Sequence, residues 1–327
     1  MQRSAPATCA WLAALLLPAG CGDHVGLPAE PQAPGGFTGE IAYEWQYRWQ
    51  NMPSFADMAL ASGILFAIDE DSARVRAYRS DRADPVVNLG FSFPRWIVVG
   101  SDTLRRPVQL AVGGNNTLWV GFADDRRVQE FRIGSPPQAT GAWVAGKGIT
   151  ELGGLAVDPD GGFVYVSDSA ANTVSEYRPS TNGGSRVAVL STEGRGDTFV
   201  IEPRGLFFFN DSLLVADRGN NRVQVIHAHK PFTGRGEVRD PLGEPLGLRA
   251  PVDVWVDRAG MFYVAENGRV TQVSPAGEIK EEVTERDPES AQAPKTVVAN
   301  ATQVWVPDAE RRRLTVYQIN TVAENLP

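Results

Sequence analysis

Cysteine is nearly absent from this chain: among 327 residues there are two, Cys9 and Cys21, both near the N-terminus. The remainder therefore has no disulfide framework, no thiolate nucleophile and no cysteine metal site. Histidine is almost as scarce, with His24, His227 and His229 making up the set. His227 and His229 stand two apart near the end of an apolar strand pattern, so they share a face and offer half of a zinc site. No third or fourth ligand accompanies them, since His24 lies far upstream, and exposed strand histidines are the plainer reading. Long hydrophobic runs are missing too: the run at residues 10–17 is too short to span a bilayer as a helix, and no second one follows. Positive charge is in the minority, with a net charge of -8. An acidic body does not attract a phosphate backbone, so nucleic-acid binding is not expected. Neither a Gly-x-Ser-x-Gly elbow nor a phosphate-cradling glycine loop occurs.

What the chain has in abundance is turn-forming residues, with 33 glycines and 23 prolines, and a repeat. Six segments share an apolar strand, a turn, a second apolar strand ending in an acid, a short loop, then a basic residue and a third strand. The second-strand cores begin at Leu65, Leu118, Val164, Leu213, Phe262 and Val304, spaced 53, 46, 49, 49 and 42 residues apart. Weaker fourth strands follow at residues 93–99, 142–145, 186–190 and 279–283. Four short strands per repeat of this length point to a propeller blade, and no helical periodicity competes with that reading. The expected fold is thus all-β: a six-bladed β-propeller of four-stranded blades.

Ring closure is legible as well. After Tyr317 only ten residues remain, too few for a turn and a full outer strand. Residues 41–49 supply the missing strand, with Ile41, Tyr43, Trp45, Tyr47 and Trp49 alternating with polar neighbours. This N-terminal strand is expected to complete the last blade and remove its open edge.

The stretch Val215-Ala216-Asp217-Arg218-Gly219-Asn220-Asn221-Arg222-Val223 resembles an NHL repeat, and so does the third copy from Leu155 to Asp168. The resemblance extends over residues 50–320 and is specific for fold but not for activity, because this repeat serves unrelated functions. Peptidyl-amidoglycolate lyases use a propeller of this kind with histidine zinc ligands from several blades, a set that this sequence does not supply. Calcium-dependent lactonases on similar propellers place acidic and amide side chains in the central channel. The candidates for such a channel site are Asp57, Gln109 and Asp253, near the starts of first strands, where they would present hard oxygen ligands to calcium. The plainer reading of polar residues there is that they bind ordered water.

The N-terminus reads as an address. Residues 1–20 form a signal peptide, with Arg3 before the apolar run. Pro18-Ala19-Gly20-Cys21 resembles the lipobox of bacterial lipoproteins, which implies lipidation of Cys21. Pro18 stands where leucine is usual, and cleavage without lipidation would release the domain instead. Residues 21–36, rich in proline and glycine, form a flexible tether, and residues 37–327 the propeller.

The acids that end the second strands are Asp69, Asp168, Asp217, Glu266 and Asp308, with Phe122 in the second copy. The basic residues before the third strands are Arg74, Arg127, Arg222, Arg269 and Arg313, with Thr173 in the third copy. Each pair flanks one hairpin loop and is expected to clasp it. Repetition favours a structural role, since a catalytic site needs different residues in different blades. Arg195-Gly196-Asp197 is an integrin-like tripeptide in a glycine-rich connector, a pattern that short motifs produce by chance. The leading functional expectation is a monomeric, non-enzymatic binding module at the cell envelope, membrane-held through its lipid, for a protein, peptide or glycan. The connectors at residues 191–203 and 233–250 would form its variable face. The alternative is a calcium-dependent hydrolase or lyase with its site in the channel.

Overall fold

A computed structural model describes residues 41–321, apart from 82–86, 93–95, 135–136, 147, 228–234, 238–244, 285–286, 288, 290 and 292. The signal segment, Cys21, the tether, His24, His229 and part of the 233–250 connector lie outside the described residues.

The described residues form strands joined by turns and loops, and the one helical element among them is a short 3-10 turn at Arg218–Asn220. Strand β1 (Ile41–Gln50) is followed by a first sheet of β2 (Phe55–Ala61), β3 (Ile64–Asp69), β4 (Arg74–Arg79) and β5 (Val87–Ser92). A separate hairpin of β6 (Trp96–Val99) and β7 (Asp102–Arg105) leads to the second sheet, β8 (Pro107–Gly113), β9 (Thr117–Phe122), β10 (Arg127–Arg132) and β11 (Gln138–Ala145). The third has β12 (Leu152–Val157), β13 (Val164–Asp168), β14 (Thr173–Arg178), β15 (Ser185–Glu193) and the short parallel β16 (Phe199–Val200). The fourth has β17 (Pro203–Phe209), β18 (Ser212–Asp217), β19 (Arg222–His227) and β20 (Arg235–Glu237). The fifth has β21 (Asp253–Val256), β22 (Phe262–Glu266), β23 (Arg269–Val273) and β24 (Ile279–Glu282). The sixth has β25 (Val298–Ala299), β26 (Gln303–Asp308) and β27 (Arg313–Thr321), and its fourth strand is β1.

β1 runs antiparallel to β27 from Ile41 opposite Thr321 to Gln50 opposite Arg313, with a bulge between Trp45 and Tyr47. The bulge reverses the alternation, so Tyr43 packs in the cluster between the fifth and sixth sheets and Trp49 in the one between the sixth and the first. Arg48 adds an ion pair with Asp287, whose carboxylate also accepts the Tyr317 hydroxyl at 2.9 Å.

Turn chemistry explains the tight pleating. Ser62-Gly63 and Asn210-Asp211 join first to second strands with both residues at positive φ, the two-residue turn whose twist matches a hairpin, and Asn115-Asn116 take the same conformation in a three-residue loop. The residue just before every third strand is also left-handed: Ala73, Arg126, Asn172, Asn221, Gly268 and Arg312.

Each apolar cluster lies between consecutive sheets. Phe66 and Ile68 meet Leu118 and Val120, and Trp119 and Val128 meet Leu155 and Val166. Similar layers join the third to fourth, fourth to fifth and fifth to sixth sheets. A last cluster, with Trp49, Trp305, Leu314, Met58, Leu65 and Tyr78, packs the sixth sheet on the first. Trp49 is 1% exposed within it. Replacing it with alanine removes the largest side chain that β1 contributes there. The expected cost is about 3–5 kcal/mol in chemical denaturation, and a loss below about 1 kcal/mol would show that β1 does not hold the fold together.

Candidate functional site

One frame recurs at or just before the first strand of each sheet: an opening residue, one spacer, then a small or polar residue and an apolar one. It reads Phe55-Ala56-Asp57-Met58, Pro107-Val108-Gln109-Leu110, Leu152-Gly153-Gly154-Leu155, Pro203-Arg204-Gly205-Leu206, Pro251-Val252-Asp253-Val254 and Pro294-Lys295-Thr296-Val297. In the first four sheets the pairing with the second strand shifts register at this frame. Each such bulge turns the third residue of the frame out of the regular pleat.

Two cavities flank this level. A chamber of about 260 Å³ is lined by residues that follow the frame, among them Leu60, Val112, Leu155, Val157, Phe207 and Trp255. A wider funnel of about 640 Å³ is lined by residues that precede it, together with loop residues such as Glu70, Glu151, Arg204, Arg218 and Lys295. Asp57, Gln109, Gly205 and Asp253 line both, so they form the neck between them. Chamber walls are apolar and aromatic: Phe207 and Trp255 meet edge to face at 4.9 Å, and Phe208 stacks on Tyr165 at 5.3 Å. The funnel rim is charged, with Lys295–Glu70 and Arg204–Glu151 ion pairs at 2.7 and 3.0 Å.

At the neck the structure brings Asp57 and Asp253 together through a residue that the sequence reading passed over. The Thr296 hydroxyl lies 2.7 Å from Asp253 Oδ2 and 3.3 Å from Asp57 Oδ1. The backbone binds the same carboxyls across sheets: Asp57 Oδ2 accepts Leu110 N–H at 2.7 Å and Asp253 Oδ2 accepts Val297 N–H at 3.0 Å. Their other oxygens accept the N–H of the next residue, Met58 and Val254. Among the described residues no arginine or lysine pairs with either acid. Asp57 is 8% exposed. Burial, then the neighbouring Asp253 charge, pushes the Asp57 carboxyl well above the usual carboxylate range, against hydrogen bonds from Leu110, Met58 and Thr296. Burial raises Asp253 to about 6, against bonds from Thr296, Val297 and Val254.

Hydroxyl geometry agrees with that order. Thr296 has one hydrogen and two carboxyl oxygens in reach, so it cannot donate to both. With Asp57 protonated, its O–H donates to the threonine oxygen, which donates to Asp253. The neck then holds one proton and one negative charge. Gln109 lines the same neck, and its side-chain amide makes no hydrogen bond among the described residues.

Calcium does not fit this set. It takes six to eight oxygens, and the frame offers two carboxyls, one amide and one hydroxyl, with glycine at two of its six positions. The four carboxyl oxygens already accept backbone N–H groups or the threonine hydroxyl, and Asp57 favours its neutral form. Among the described residues no group of three or more His, Cys, Asp or Glu is placed to hold a metal ion.

The clasp acids do something different from meeting one arginine. Asp168 accepts the N–H groups of Thr150, Glu151 and Ala171 at 2.5, 3.0 and 3.0 Å, with no arginine involved. Asp217 accepts Ile201 N–H at 2.8 Å, Asn220 at 2.8 Å and Arg222 Nε at 2.8 Å. Asp308 accepts Arg311 N–H at 3.1 Å and lies 3.3 Å from Arg313 Nε. Asp69 departs from the expected pairing: Arg76 Nε donates to it at 2.7 Å, while Arg74, directly opposite on the ladder, points to solvent. Residues two apart share a strand face, and the diagonal arginine reaches further over the loop. Phe122 leaves Arg127 without a clasp acid, and Arg127 turns to Asp102 at 2.7 Å and stacks over Trp143 at 3.9 Å. His227 Nδ1 lies 2.9 Å from the Ser212 hydroxyl. The Arg195-Gly196-Asp197 loop is pinned from within, since the Gly196 carbonyl accepts Arg222 at 2.8 Å.

No family model and no curated protein matches the sequence. Similar solved structures include a protein of unknown function from Bacteroides thetaiotaomicron VPI-5482, at 15% identity and a TM-score of 0.59, covering 84% of this chain and 70% of that one. Virginiamycin B lyase from Staphylococcus aureus aligns at 10% identity and a TM-score of 0.56, covering 86% of this chain and 100% of that one. A chain of the nidogen/laminin complex aligns at 16% identity and 0.51, covering 69% and 78%. At these identities the likeness is one of fold, and the fold is β-propeller-like.

Because Asp253 is raised in the folded protein, folding retains a proton that the unfolded chain releases near pH 4. Its contribution to stability is therefore full below about pH 4 and is lost as pH rises through about 6. Relative to Asp253→Asn, the native protein should lose stability over that interval in urea melts at stepped pH. A difference that stays flat from pH 4 to 7 would show that the carboxyl is not buried in this way.

Proposed function

We propose that the chain is a non-catalytic binding module: a six-bladed ring of NHL-type blades, closed by β1, that takes an apolar group of a peptide or small molecule into its central chamber. The observation that carries this reading is the chamber itself, an apolar and aromatic cavity of about 260 Å³ with a few convergent polar groups at one end. That combination is the general form of a small-ligand site. Six interlayer clusters, the last joining the sixth sheet to the first, support the ring. Catalysis is the weaker reading. Both neck acids spend their oxygens on backbone N–H groups of their own and neighbouring sheets, which suits holding a shape better than moving protons to a substrate.

The site has two faces of different character. A ligand reaching from the charged funnel through to the chamber would meet polar groups first and aromatic walls last, which suits a peptide end or a glycan with an apolar substituent. The lipobox-like Pro18-Ala19-Gly20-Cys21 supports a site of action at the bacterial cell envelope, held through lipid on Cys21, with secretion as the outcome if that cysteine is not modified.

A neutral apolar dye, N-phenyl-1-naphthylamine, should brighten on binding the purified protein. Val112→Trp fills the chamber and should weaken the dye at least tenfold, while Val98→Trp, at a position 66% exposed on β6, should not. Dye binding that is indifferent to Val112→Trp would refute the chamber as the site. For the anchor, Cys21→Ser should move the protein from the membrane fraction to the soluble one, and unchanged membrane retention would refute lipidation.

A further inference from the structure

The neck carries an uncompensated charge in an otherwise apolar setting, and such a charge calls for a partner. Asp253 and Asp57 are joined by one hydroxyl, have no basic side chain paired with them among the described residues, and lie at the floor of the aromatic chamber. The nearest cations around the funnel are already paired, Lys295 with Glu70, Arg204 with Glu151 and Arg218 with Glu202. Gln109, on the same neck, contributes a carbonyl acceptor with no partner of its own.

Three acceptor-bearing groups around a neck, beneath an apolar chamber, match one ligand chemistry. A primary ammonium has three N–H donors and one positive charge, so it can satisfy Asp253, Asp57 and Gln109 together. An alcohol can donate once, and a quaternary ammonium cannot donate at all. The apolar body attached to that nitrogen would lie in the chamber against Phe207 and Trp255, whose rings are fixed edge to face.

Resting on the chamber reading above, we propose that the neck is a recognition site for a primary ammonium on an apolar or aromatic body, with Asp253 as the charge partner and Asp57, Thr296 and Gln109 as positioning groups. The chemistry is shared by a free aralkylamine and by the N-terminus of a peptide that begins with an apolar residue. Gly154 and Gly205 fit this assignment. A Cβ at Gly205 would sit 2.1 Å from Asp253 Oδ1, and one at Gly154 would sit 2.3 Å from the Arg204 carbonyl oxygen. Side chains are thereby kept off that side of the neck, and the Asp253 carboxyl has room to lie flat against β17.

The test is calorimetric titration of the full-length protein with 2-phenylethylammonium and its neutral counterpart 2-phenylethanol, at pH 7.0 and 5.0. The ammonium should bind at least tenfold more tightly than the alcohol at pH 7.0, and that preference should shrink at pH 5.0 as Asp253 gains its proton. Asp253→Asn should erase the preference by weakening the ammonium far more than the alcohol, and Gln109→Leu should reduce it several-fold. Peptide Phe-Ala-Ala with a free or an acetylated N-terminus separates the sources: tighter binding of the free form than of phenylethylammonium assigns a peptide end, and the reverse assigns a free amine. Equal affinities for ammonium and alcohol at pH 7.0 overturn the proposal while leaving the chamber reading in place. Failure of both, together with failure of the neutral dye, overturns the chamber reading and this one with it. Should Asp253→Asn not fold, the pH comparison on the native protein decides, because a pH-independent preference would refute Asp253 as the partner.

Discussion

First strands of the sheets draw together at the neck, where the third residues of their frames meet. A full side chain at every one of these positions cannot be accommodated: at Gly154 and Gly205 a Cβ would overlap the backbone or carboxyl of the following sheet. The remaining positions carry polar groups that fold back onto neighbouring backbone. Asp57 ties the first sheet to the second through Leu110 N–H, Gly205 N–H ties the fourth to the fifth through the Val252 carbonyl, and Asp253 ties the fifth to the sixth through Val297 N–H. Thr296 returns the chain of bonds to Asp57. Buried backbone groups near the axis have no ladder partner on that side, so these bonds satisfy donors that burial would otherwise leave costly. The neck acids are staples of the assembly before they are anything else.

Much of this was legible in the sequence, and the limits have physical causes. Repetition of Leu65, Leu118, Val164, Leu213, Phe262 and Val304 marked the second strands because each core strand is apolar on a fixed spacing, and each is a buried strand residue in the structure. The alternation from Ile41 to Trp49 marked a strand, and it pairs with β27. Asp57, Gln109 and Asp253 were readable as one level of the channel, but Thr296 was not, although Pro294-Lys295-Thr296-Val297 repeats the frame of Pro251-Val252-Asp253-Val254. A hydroxyl between two acids is a tertiary fact, made by sheets that are distant in sequence. The left-handed residues before the third strands were invisible for another reason. Asn172, Asn221 and Gly268 suit positive φ, whereas Ala73, Arg126 and Arg312 do not, so the loop path imposes the conformation against local preference.

The clasp shows how a repeat separates what matters from what decorates it. Asp168 keeps three backbone N–H donors with no arginine, and Asp69 accepts the diagonal Arg76 in place of Arg74. The constant element is therefore the acid's grip on backbone: its own loop for Asp69, Asp168 and Asp308, and the segment arriving from the preceding sheet for Asp168, Asp217 and Glu266. Where the acid is lost at Phe122, the ring joins Phe131 in an edge contact at 6.3 Å and the freed Arg127 is rebuilt into a different junction. Trp143, under that guanidinium, donates its indole N–H to the Thr181 carbonyl at 3.2 Å and packs against Gly183, whose missing side chain gives the ring its place. The second and third sheets are thus joined by a cation–aromatic stack beside the bonds that Asp168 makes to the arriving segment.

Charge at the axis follows from the same geometry. Two carboxyls in reach of one hydroxyl, dry on most sides and without a cation, cannot both be ionised cheaply. One proton resolves the hydrogen-bond count as well as the repulsion, which leaves a single negative charge on the carboxyl that has the lower affinity for a proton. A divalent ion would have to displace that proton and draw both oxygens of each carboxyl away from the backbone N–H groups and the hydroxyl they already accept. A singly charged donor needs neither. The neck's preference for one positive charge over two is therefore set by how firmly its oxygens are already held.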